Sequence, residues 1–241
     1  MTDLRFYGDR PPGIDGQSLP GRLIVLEGTD GVGRSTQVAL LKEWLERKGY
    51  AVIDTGLTRS SLAGSGIQRA KRGHTLDPIT LNLFYATDMW DRLERQILPA
   101  LRAGMVALVD RYIFSMIARA GVRGLSPEWL QGLYEFALIP DRTIYLDIDV
   151  EHLLPRVIHD TGFDYWESGR DFLETGSVYQ SFVEYQNRLL AEFRRLADRH
   201  DFTVIDARGD VGATFEAVSR EVEQVISSMV SDAMPPEPTN R

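Results

Sequence analysis

The sequence contains no cysteine and only four histidines, and several kinds of site are thereby excluded. A chain without cysteine has no disulfide, no thiolate nucleophile and no cysteine-ligated zinc. His74, His152, His159 and His200 are scattered along the chain without the spacing of metal ligands, and we assign them no role. The absence of cysteine is compatible with the cytoplasm, which is the location that we expect.

The sequence also lacks a long uninterrupted apolar run and an apolar core near its N-terminus. We therefore expect neither a membrane span nor a signal peptide. The chain has fewer basic than acidic residues: 27 Lys and Arg against 35 Asp and Glu, which gives a formal net charge of −8. So acidic a chain is a poor candidate for general nucleic-acid binding, and we expect no nucleic-acid partner. It can still bind a small anion where its arginines converge.

What is present is an alternation of short apolar runs and helical patterns. The predicted strands are residues 23–26, 51–53, 106–109, 143–146 and 203–205. The predicted helices are residues 38–47, 79–102, 127–136, 178–199 and 213–229. Fully apolar strands that alternate with helices are typical of an α/β fold, so we predict a five-stranded parallel sheet with helices on both faces.

Proline is frequent near both ends of the chain. Residues 1–20 are predicted to be a flexible N-terminal arm, and residues 231–241 a disordered tail. One domain is expected over residues 21–230, because that length suits a single large α/β domain.

A glycine-rich segment follows the first predicted strand. Residues 28–36 read Gly-Thr-Asp-Gly-Val-Gly-Arg-Ser-Thr and match G-x-x-x-x-G-K-[ST], except that Arg34 replaces the lysine. Glycines let several backbone N–H groups face one phosphate, and the following helix directs its positive end at the same anion. This order predicts a phosphate-binding loop and a P-loop NTPase fold. The predicted ATP-binding residues are Asp30, Gly31, Val32, Gly33, Arg34, Ser35 and Thr36.

A tight glycine turn without function is the alternative interpretation of this segment. The strand before it, the helix after it and the in-register Ser35-Thr36 pair favour the phosphate loop. Arg34 keeps the positive charge of the missing lysine and offers a planar fork, which can bind phosphate oxygens in a bidentate way. We assign Arg34 a catalytic role, and we expect the Ser35 hydroxyl to ligate Mg²⁺.

A second pair of charges follows the predicted strand at residues 106–109. Asp110 and Arg111 stand at the carboxyl end of this strand, where parallel α/β sheets place their ligand chemistry. Both are predicted catalytic residues, because Asp110 can help to hold Mg²⁺ through water and Arg111 can bridge the donor and acceptor phosphates. An Asp–Arg surface pair is the alternative, and Asp147 is a competing carboxylate at another strand end.

Several motifs together resemble the thymidylate kinase family of nucleoside monophosphate kinases, over about residues 22–225. Residues 27–37 resemble the family's E-G-x-D-G-x-G-K-[ST]-T-Q, and Thr58-Arg59 resembles its T-R-E turn. Residues 83–88, Leu-Phe-Tyr-Ala-Thr-Asp, resemble L-[LF]-[FY]-A-A-D, and residues 97–101 resemble I-x-P-A-L. Asp110-Arg111-Tyr112 with Ser115 resembles D-R-Y-x-x-S.

This resemblance implies transfer of the ATP γ-phosphate to dTMP to give dTDP. ATP would be the co-substrate, Mg²⁺ the cofactor and a homodimer the assembly. It implies that Asp30 contacts the acceptor sugar and that Arg59 holds the acceptor phosphate. Arg111 and Ser115 are assigned to the acceptor site with the D-R-Y segment.

The sequence departs from the family at several acceptor-side positions. Met89 stands where the family's arginine reads the thymine, and Arg119-Ala120 stands where the family has Y-Q. Tyr165 takes the place of the lid arginine of D-R-x-E. Two alternatives stay open: a kinase for a different nucleotide or nucleoside, and a nucleotide-binding relative with little or no turnover.

Aromatic and basic side chains outside these motifs are further candidates. Phe84 and Tyr85 are candidates to stack on the acceptor base, with Tyr85 the better aligned, although aromatics on an apolar helix face equally often belong to the core. A mobile lid that excludes water is predicted at about residues 155–172, where Arg156 or Arg170 can reach the phosphates. Solvated surface arginines are the alternative. Lys71 and its basic neighbours are interpreted as a solvated helix end.

Overall fold

Five parallel strands form the centre of the computed structural model, which describes residues 5–14, 18–73, 76–160, 162–174 and 176–233. The strands are β1 (Arg22–Glu27), β2 (Val52–Gly56), β3 (Val106–Asp110), β4 (Arg142–Asp147) and β5 (Thr203–Asp206). Their order across the sheet is β2-β3-β1-β4-β5, and every neighbouring pair is parallel. The predicted α/β fold with its parallel sheet is therefore confirmed.

Helices occupy most of the chain between the strands. Within the described residues they are α1 (Arg34–Arg47), α2 (Gly64–Gly73), α3 (Pro78–Arg92), α4 (Leu98–Arg102), α5 (Ile113–Val122), α6 (Pro127–Tyr134), α7 (Val150–Asp160), α8 (Val178–His200) and α9 (Val211–Ala233). None of these described helices is both long and apolar enough to cross a membrane.

The single helix predicted over residues 79–102 is interrupted by one π-helical turn. The turn, Leu93–Ile97, joins α3 to α4, and Leu98 N donates to Leu93 O across it. Pro99 follows at the start of α4 and carries no N–H group. Because proline cannot donate in the helical ladder, a local change of hydrogen-bond register before it accommodates the missing donor.

The side chains of β1 alternate between two hydrophobic cores, because successive strand residues point to opposite faces of the sheet. Leu23 and Val25 pack in a core with side chains of α3, α5 and α8. Ile24 and Leu26 pack in a second core with side chains of α1 and α9. Helices therefore cover both faces, and the strands are buried on both sides.

The described part of the N-terminal segment lies against residues 135–139. Tyr7 N donates to Ala137 O at 3.0 Å, and Ile139 N donates to Arg5 O at 2.9 Å. The flexibility predicted for residues 1–20 stays a prediction, as do the domain limits at residues 21 and 230. At the other end α9 extends to Ala233, and the rest of the predicted tail lies outside the described residues.

The carboxyl ends of the central strands meet at one edge of the sheet. Leu26 of β1 pairs with Asp110 of β3 and with Ile144 of β4, and Gly56 of β2 pairs with Asp110 on the other side. The glycine-rich segment after β1 and the turns after β2 and β3 therefore lie side by side. This edge is where parallel α/β sheets bind ligands.

Candidate active site

The loop between β1 and α1 turns on three glycines. Gly28, Gly31 and Gly33 have φ angles of 147°, 79° and 105°, which side chains with a Cβ rarely adopt. A Cβ on Gly31 would lie 2.7 Å from Val157 Cγ2, so packing against α7 is a second reason for glycine. α1 begins at Arg34, and the first N–H groups of a helix have no acceptor within it. The loop and the helix end together form a site suited to a phosphate.

Arg34 turns its guanidinium into the loop. Its Nε donates to Asp110 Oδ1 at 2.8 Å, and its Nη1 donates to the carbonyl oxygens of Gly28 and Thr29. The side chain is only 5% exposed. A planar fork can make these separate contacts at once, whereas a lysine ammonium presents its donors from a single nitrogen. Arg34 therefore links the loop to the carboxyl end of β3.

Asp110 is shared between Arg34 and Ser35. Ser35 Oγ donates to Asp110 Oδ2 at 2.8 Å, while Arg34 occupies the other carboxylate oxygen. The hydroxyl and the carboxylate are hard oxygen donors beside a phosphate loop, which is the donor set that Mg²⁺ uses in phosphoryl-transfer sites. The residues present therefore fit a magnesium ion at this position.

Glu27 joins the start of the loop to the turn after β3. Its carboxylate is fully buried and accepts from Tyr112 N at 2.9 Å, from Ser115 N at 3.2 Å and from Ser115 Oγ at 2.6 Å. Burial raises the pKa of Glu27, and these hydrogen bonds act in the opposite direction. Ser115, predicted to contact the acceptor, therefore lies against Glu27. It lines neither of two cavities that open near Asp30 and Tyr85.

Asp30 binds two guanidinium groups from the β3 side of the site. Arg111 Nη2 pairs with Asp30 Oδ1, and Arg119 Nη2 pairs with Asp30 Oδ2. Arg111 adopts a φ of 70°, which directs its side chain back toward the loop. Burial, followed by the neighbouring charge of Arg119, lowers the pKa of Arg111 to about 9, so this guanidinium is still charged at neutral pH.

A cavity of about 230 Å³, here called the cationic cavity, opens beside Asp30 and Arg111. Arg59, Lys71 and Arg119 also line it. Arg59 Nη1 donates to Asp54 Oδ2 at 2.9 Å. Such a concentration of positive charge beside a phosphate loop suits a second phosphate group, and the predicted residues Arg59 and Arg111 meet here.

The turn that carries Arg59 is held by one buried carboxylate. Asp88 of α3 accepts from Thr58 N at 3.1 Å and from Ser60 N at 3.0 Å. Arg92 Nε donates to the same carboxylate at 2.9 Å, and both side chains of this ion pair are fully buried. The positive φ of 64° at Thr58 is stabilised by these bonds. Asp88 therefore positions Arg59.

A second cavity, here called the apolar cavity, adjoins the cationic cavity and has a volume of about 220 Å³. The two cavities share Leu57, Lys71, Tyr85 and Arg119 as lining residues. Of these two cavities, the apolar one is lined in addition by Leu76, Leu81, Met116 and Trp166. An apolar space next to a cationic one matches the two ends of a nucleotide, its base and its phosphate.

The structure separates the three side chains of α3 that were assigned to the acceptor. Tyr85 is 8% exposed and lines both cavities, and burial raises its pKa. Phe84 is 39% exposed, and neither cavity includes it. Met89 is 0% exposed, lies in the core and accepts from Arg92 Nη2 at 3.4 Å. Of the three, Tyr85 alone faces the two cavities.

The predicted lid at residues 155–172 is part helix and part loop. Its first residues belong to α7, and Tyr165 lines the apolar cavity. Arg156 lies at the phosphate loop, where it donates to Val32 O at 3.2 Å and to Ala207 O at 2.9 Å. Arg170 is exposed and lines neither cavity, and its N–H donates to Tyr165 O at 3.1 Å.

Lys71 and Arg119 line both cavities, although sequence reasoning assigned neither of them to the site. Lys71 was interpreted as solvated, but it is half-buried, and burial followed by the nearby Arg119 lowers its pKa. Arg119 lies on α5, eight residues after Arg111, and Arg123 caps the same helix four residues later. This spacing behind Asp110-Arg111 was a signal for Arg119, whereas nothing local marks Lys71.

Comparison with known proteins agrees with this geometry. The family model for thymidylate kinase matches residues 26–218. A probable thymidylate kinase 2 of Saccharolobus solfataricus is 36% identical over 190 residues, which are 78% of this chain and 89% of the relative. The thymidylate kinase of Bifidobacterium longum subsp. infantis is 30% identical over 226 residues, 89% of this chain and 91% of the relative. That of Clavibacter sepedonicus is 40% identical over 176 residues, 68% and 81% of the two chains.

The matched region contains the phosphate loop, the Asp110-Arg111 turn and residues 155–172. It therefore spans both the loop side and the cavity side of the site, and it reaches from β1 to β5. A match of this extent is well beyond a shared glycine-rich motif. The chain therefore belongs to the thymidylate kinase family.

Proposed function

We propose that this chain transfers the γ-phosphoryl group of ATP to dTMP, giving ADP and dTDP. The observation that carries the proposal is the contact of Asp30 in the phosphate loop with Arg111 and Arg119, which line the cationic cavity. On this proposal the donor site and the acceptor site lie on the two sides of one ion-pair cluster. Membership of the thymidylate kinase family supports dTMP as the acceptor.

On the donor side, residues 30–36 would bind the ATP phosphates. The N–H groups of the loop and of the first turn of α1 are the donors, and Arg34 supports the loop from within. Ser35 and Asp110 would hold Mg²⁺, which when bound neutralises charge on the donor phosphates. Arg156 fixes Val32 from the other side of the loop.

On the acceptor side, the phosphate of dTMP would lie in the cationic cavity and its base in the apolar cavity. Arg59 and Arg111 would bind the acceptor phosphate, and Asp30 would orient the sugar. Tyr85 would pack against the base, because its side chain lines both cavities. An oxygen of the acceptor phosphate then attacks the γ-phosphorus as the bond to the β-phosphate oxygen breaks. Positioning and charge neutralisation supply most of the catalysis.

A coupled assay of ADP release with a panel of nucleoside monophosphates tests this proposal. We expect dTMP to give the highest kcat/KM, and we expect Arg111→Ala to remove most of the turnover. Higher turnover with another base would replace dTMP as the acceptor. Tight ATP binding without turnover above the Arg111→Ala background would instead establish a nucleotide-binding protein.

A different acceptor base is the alternative with a specific observation behind it. Met89 lies in the core, and Ala120 lines the apolar cavity with a methyl group where the family has glutamine. Polar side chains that line this cavity, and could contact a different base, include Asn82 and Arg123. The monophosphate panel decides between the two acceptors.

We also propose a homodimer and a cytoplasmic location. In support of the dimer, α3 and the segment before α2 expose the apolar side chains of Leu62, Ile79, Leu83 and Phe84. Monomeric proteins rarely leave large apolar patches exposed. Light scattering of the wild type and of Leu83→Glu tests the assembly: the proposal expects a dimer that dissociates in the variant. The location stays a prediction.

A further inference from the structure

We propose that Arg119 is a positioning residue that neutralises Asp30, so that Arg111 can leave Asp30 and bind the acceptor phosphate. The inference rests on the proposed function, because it concerns the same acceptor site. It assigns a role to a side chain that stands where the family has tyrosine. Arg119 contacts Asp30 and forms part of the walls of both cavities.

The geometry of Asp30 provides the first step. Its two carboxylate oxygens are divided between two cations, with Oδ1 paired to Arg111 and Oδ2 paired to Arg119. Arg34 Nη2 lies farther away, 3.9 Å from Asp30 Oδ1. The side chains of Asp30, Arg111 and Arg119 are each at most 16% exposed, so water screens their charges weakly. Asp30 is therefore a nearly buried carboxylate that needs a cation.

The second step concerns the charge that the acceptor brings. A monophosphate entering the cationic cavity adds negative charge beside Asp30, in a loop that also binds the phosphates of ATP. Without a permanent partner, Asp30 would repel both nucleotides and would retain Arg111. A buried carboxylate that loses its one close cation is strongly destabilised, and Arg34 at 3.9 Å is too distant to replace it, so Arg111 would be held. Arg119 pairs with a separate oxygen of Asp30, so Asp30 stays neutralised when Arg111 leaves it.

The position of Arg119 is itself supported. Arg123 Nη1 donates to Arg119 O at 3.0 Å, and Arg123 forms a bidentate pair with Asp171 through contacts of 2.7 and 3.0 Å. Arg123 therefore connects the backbone of Arg119 to the side chain of Asp171. Because the backbone of Arg119 is held in this way, its guanidinium loses less conformational entropy when it pairs with Asp30. Arg119 is therefore suited to remain bound to Asp30.

A double-mutant cycle tests the inference. The proteins are the wild type, Arg119→Met, Asp30→Asn and the double variant, each assayed for KM and kcat with both substrates. Arg119→Met should lower kcat/KM for dTMP by about 30-fold, mainly through the KM for dTMP, with the KM for ATP changed by less than about threefold. With Asp30→Asn there is no carboxylate to neutralise, so Arg119→Met should then cost less than about threefold.

Two further variants serve as controls for folding and for charge. Arg188→Met removes an exposed helix arginine that pairs only with Glu184 among the described contacts, and it should behave as the wild type. Arg119→Lys keeps the charge and should retain most of the activity lost in Arg119→Met. Thermal unfolding shows whether each variant is folded, and if Arg119→Met is not, the uncharged Arg119→Gln takes its place in both Asp30 backgrounds.

Several results would overturn the inference. An equal loss from Arg119→Met in both Asp30 backgrounds would show that Arg119 does not act through Asp30. The same conclusion follows if Arg119→Lys is as deficient as Arg119→Met, or if Arg119→Met has no effect. Failure of the proposed function is distinguishable: if the wild type binds dTMP without turnover, the cycle is measured on the dissociation constant of dTMP. If dTMP does not bind at all, both proposals fail.

Discussion

Ser35 and Asp110 are 75 residues apart in the chain, yet Ser35 Oγ donates to Asp110 Oδ2 at 2.8 Å. The contact exists because β1 and β3 are parallel neighbours whose carboxyl ends coincide, with Leu26 opposite Asp110. It joins the hydroxyl of the phosphate loop to the carboxylate at the end of an apolar strand. The proposed magnesium site depends on this single relationship.

Asp110→Asn keeps the shape of the side chain and removes its charge. We expect kcat to fall about 100-fold, equivalent to about 3 kcal/mol, because Arg34 loses its carboxylate partner and the proposed Mg²⁺ site loses a negative charge. The Mg²⁺ concentration for half-maximal rate should also rise. A magnesium titration of kcat measures both effects, with the exposed Asp198→Asn as the matched control. An unchanged magnesium dependence would exclude Asp110 from the metal site.

Arg34→Ala should lower kcat by about two to three orders of magnitude. The side chain places a positive charge beside the proposed site of the donor phosphates, and it also joins the Gly28 and Thr29 carbonyls to Asp110. Steady-state kinetics together with ATP binding separates the two contributions. Arg34→Lys restores the family's residue and should regain part of the rate. A wild-type rate for Arg34→Ala would refute a catalytic role.

Gly31→Ala and Gly132→Ala should change stability in opposite directions. At Gly31 the φ of 79° disfavours any Cβ, and the new atom would lie 2.7 Å from Val157 Cγ2, so we expect a loss of about 1–3 kcal/mol. Gly132 lies in α6, where a Cβ would meet no heavy atom within 4 Å outside its own turn of helix, and alanine there should add about 0.5–1 kcal/mol. Urea unfolding measures both free energies. Equal effects would contradict the packing argument.

Tyr85→Leu and Phe84→Leu distinguish a wall of the site from an exposed neighbour. Tyr85 lines both cavities, so its replacement should raise the KM for dTMP about tenfold, because an aromatic contact with the base is lost. Phe84 lines neither cavity, and its replacement should change the KM by less than about twofold. Initial-rate kinetics at saturating ATP gives both values. A larger increase of the KM for dTMP with Phe84→Leu than with Tyr85→Leu would show that the base binds on the other side of α3.

His200 should make the protein less stable in acid. Burial, followed by the charges of Arg199 and Arg195, lowers the pKa of His200 below its usual 6.5. As pH falls from 6.5 toward the lower folded value, the unfolded chain binds more protons than the native one, and the free energy of unfolding decreases. His200→Phe keeps the packing with Phe114 and Phe202 and removes this titration.

The measurement for His200 is the melting temperature between pH 7 and pH 5. His200→Phe should lose less melting temperature than the wild type over this range. The carboxylates titrate in both proteins and cancel in the comparison. His159 is exposed, and His159→Phe should follow the wild type. Parallel curves for the wild type and His200→Phe would contradict the expected contribution of His200.

Predictions from the sequence succeeded where local pattern and physical requirement coincide. The apolar runs identified all five strands, and the glycine spacing identified the loop at Gly28, Gly31 and Gly33. The helical segment predicted over residues 79–102 has the right extent, but the prediction missed its π-helical turn, because the effect of Pro99 on the preceding turn depends on the hydrogen-bond register. Periodicity indicates that residues share a face, but it does not say how far each one extends into a cavity.

The sequence by itself determined the apolar strand segments, the phosphate loop and the charged end of β3, because each depends on neighbouring residues. Only the tertiary structure decided that Arg34 binds Asp110, that Arg119 shares Asp30 with Arg111, and that Met89 is buried away from both cavities. These contacts join segments that are far apart in the chain. Their geometry follows from the register of β1 against β3 and from helix packing, which no local pattern encodes.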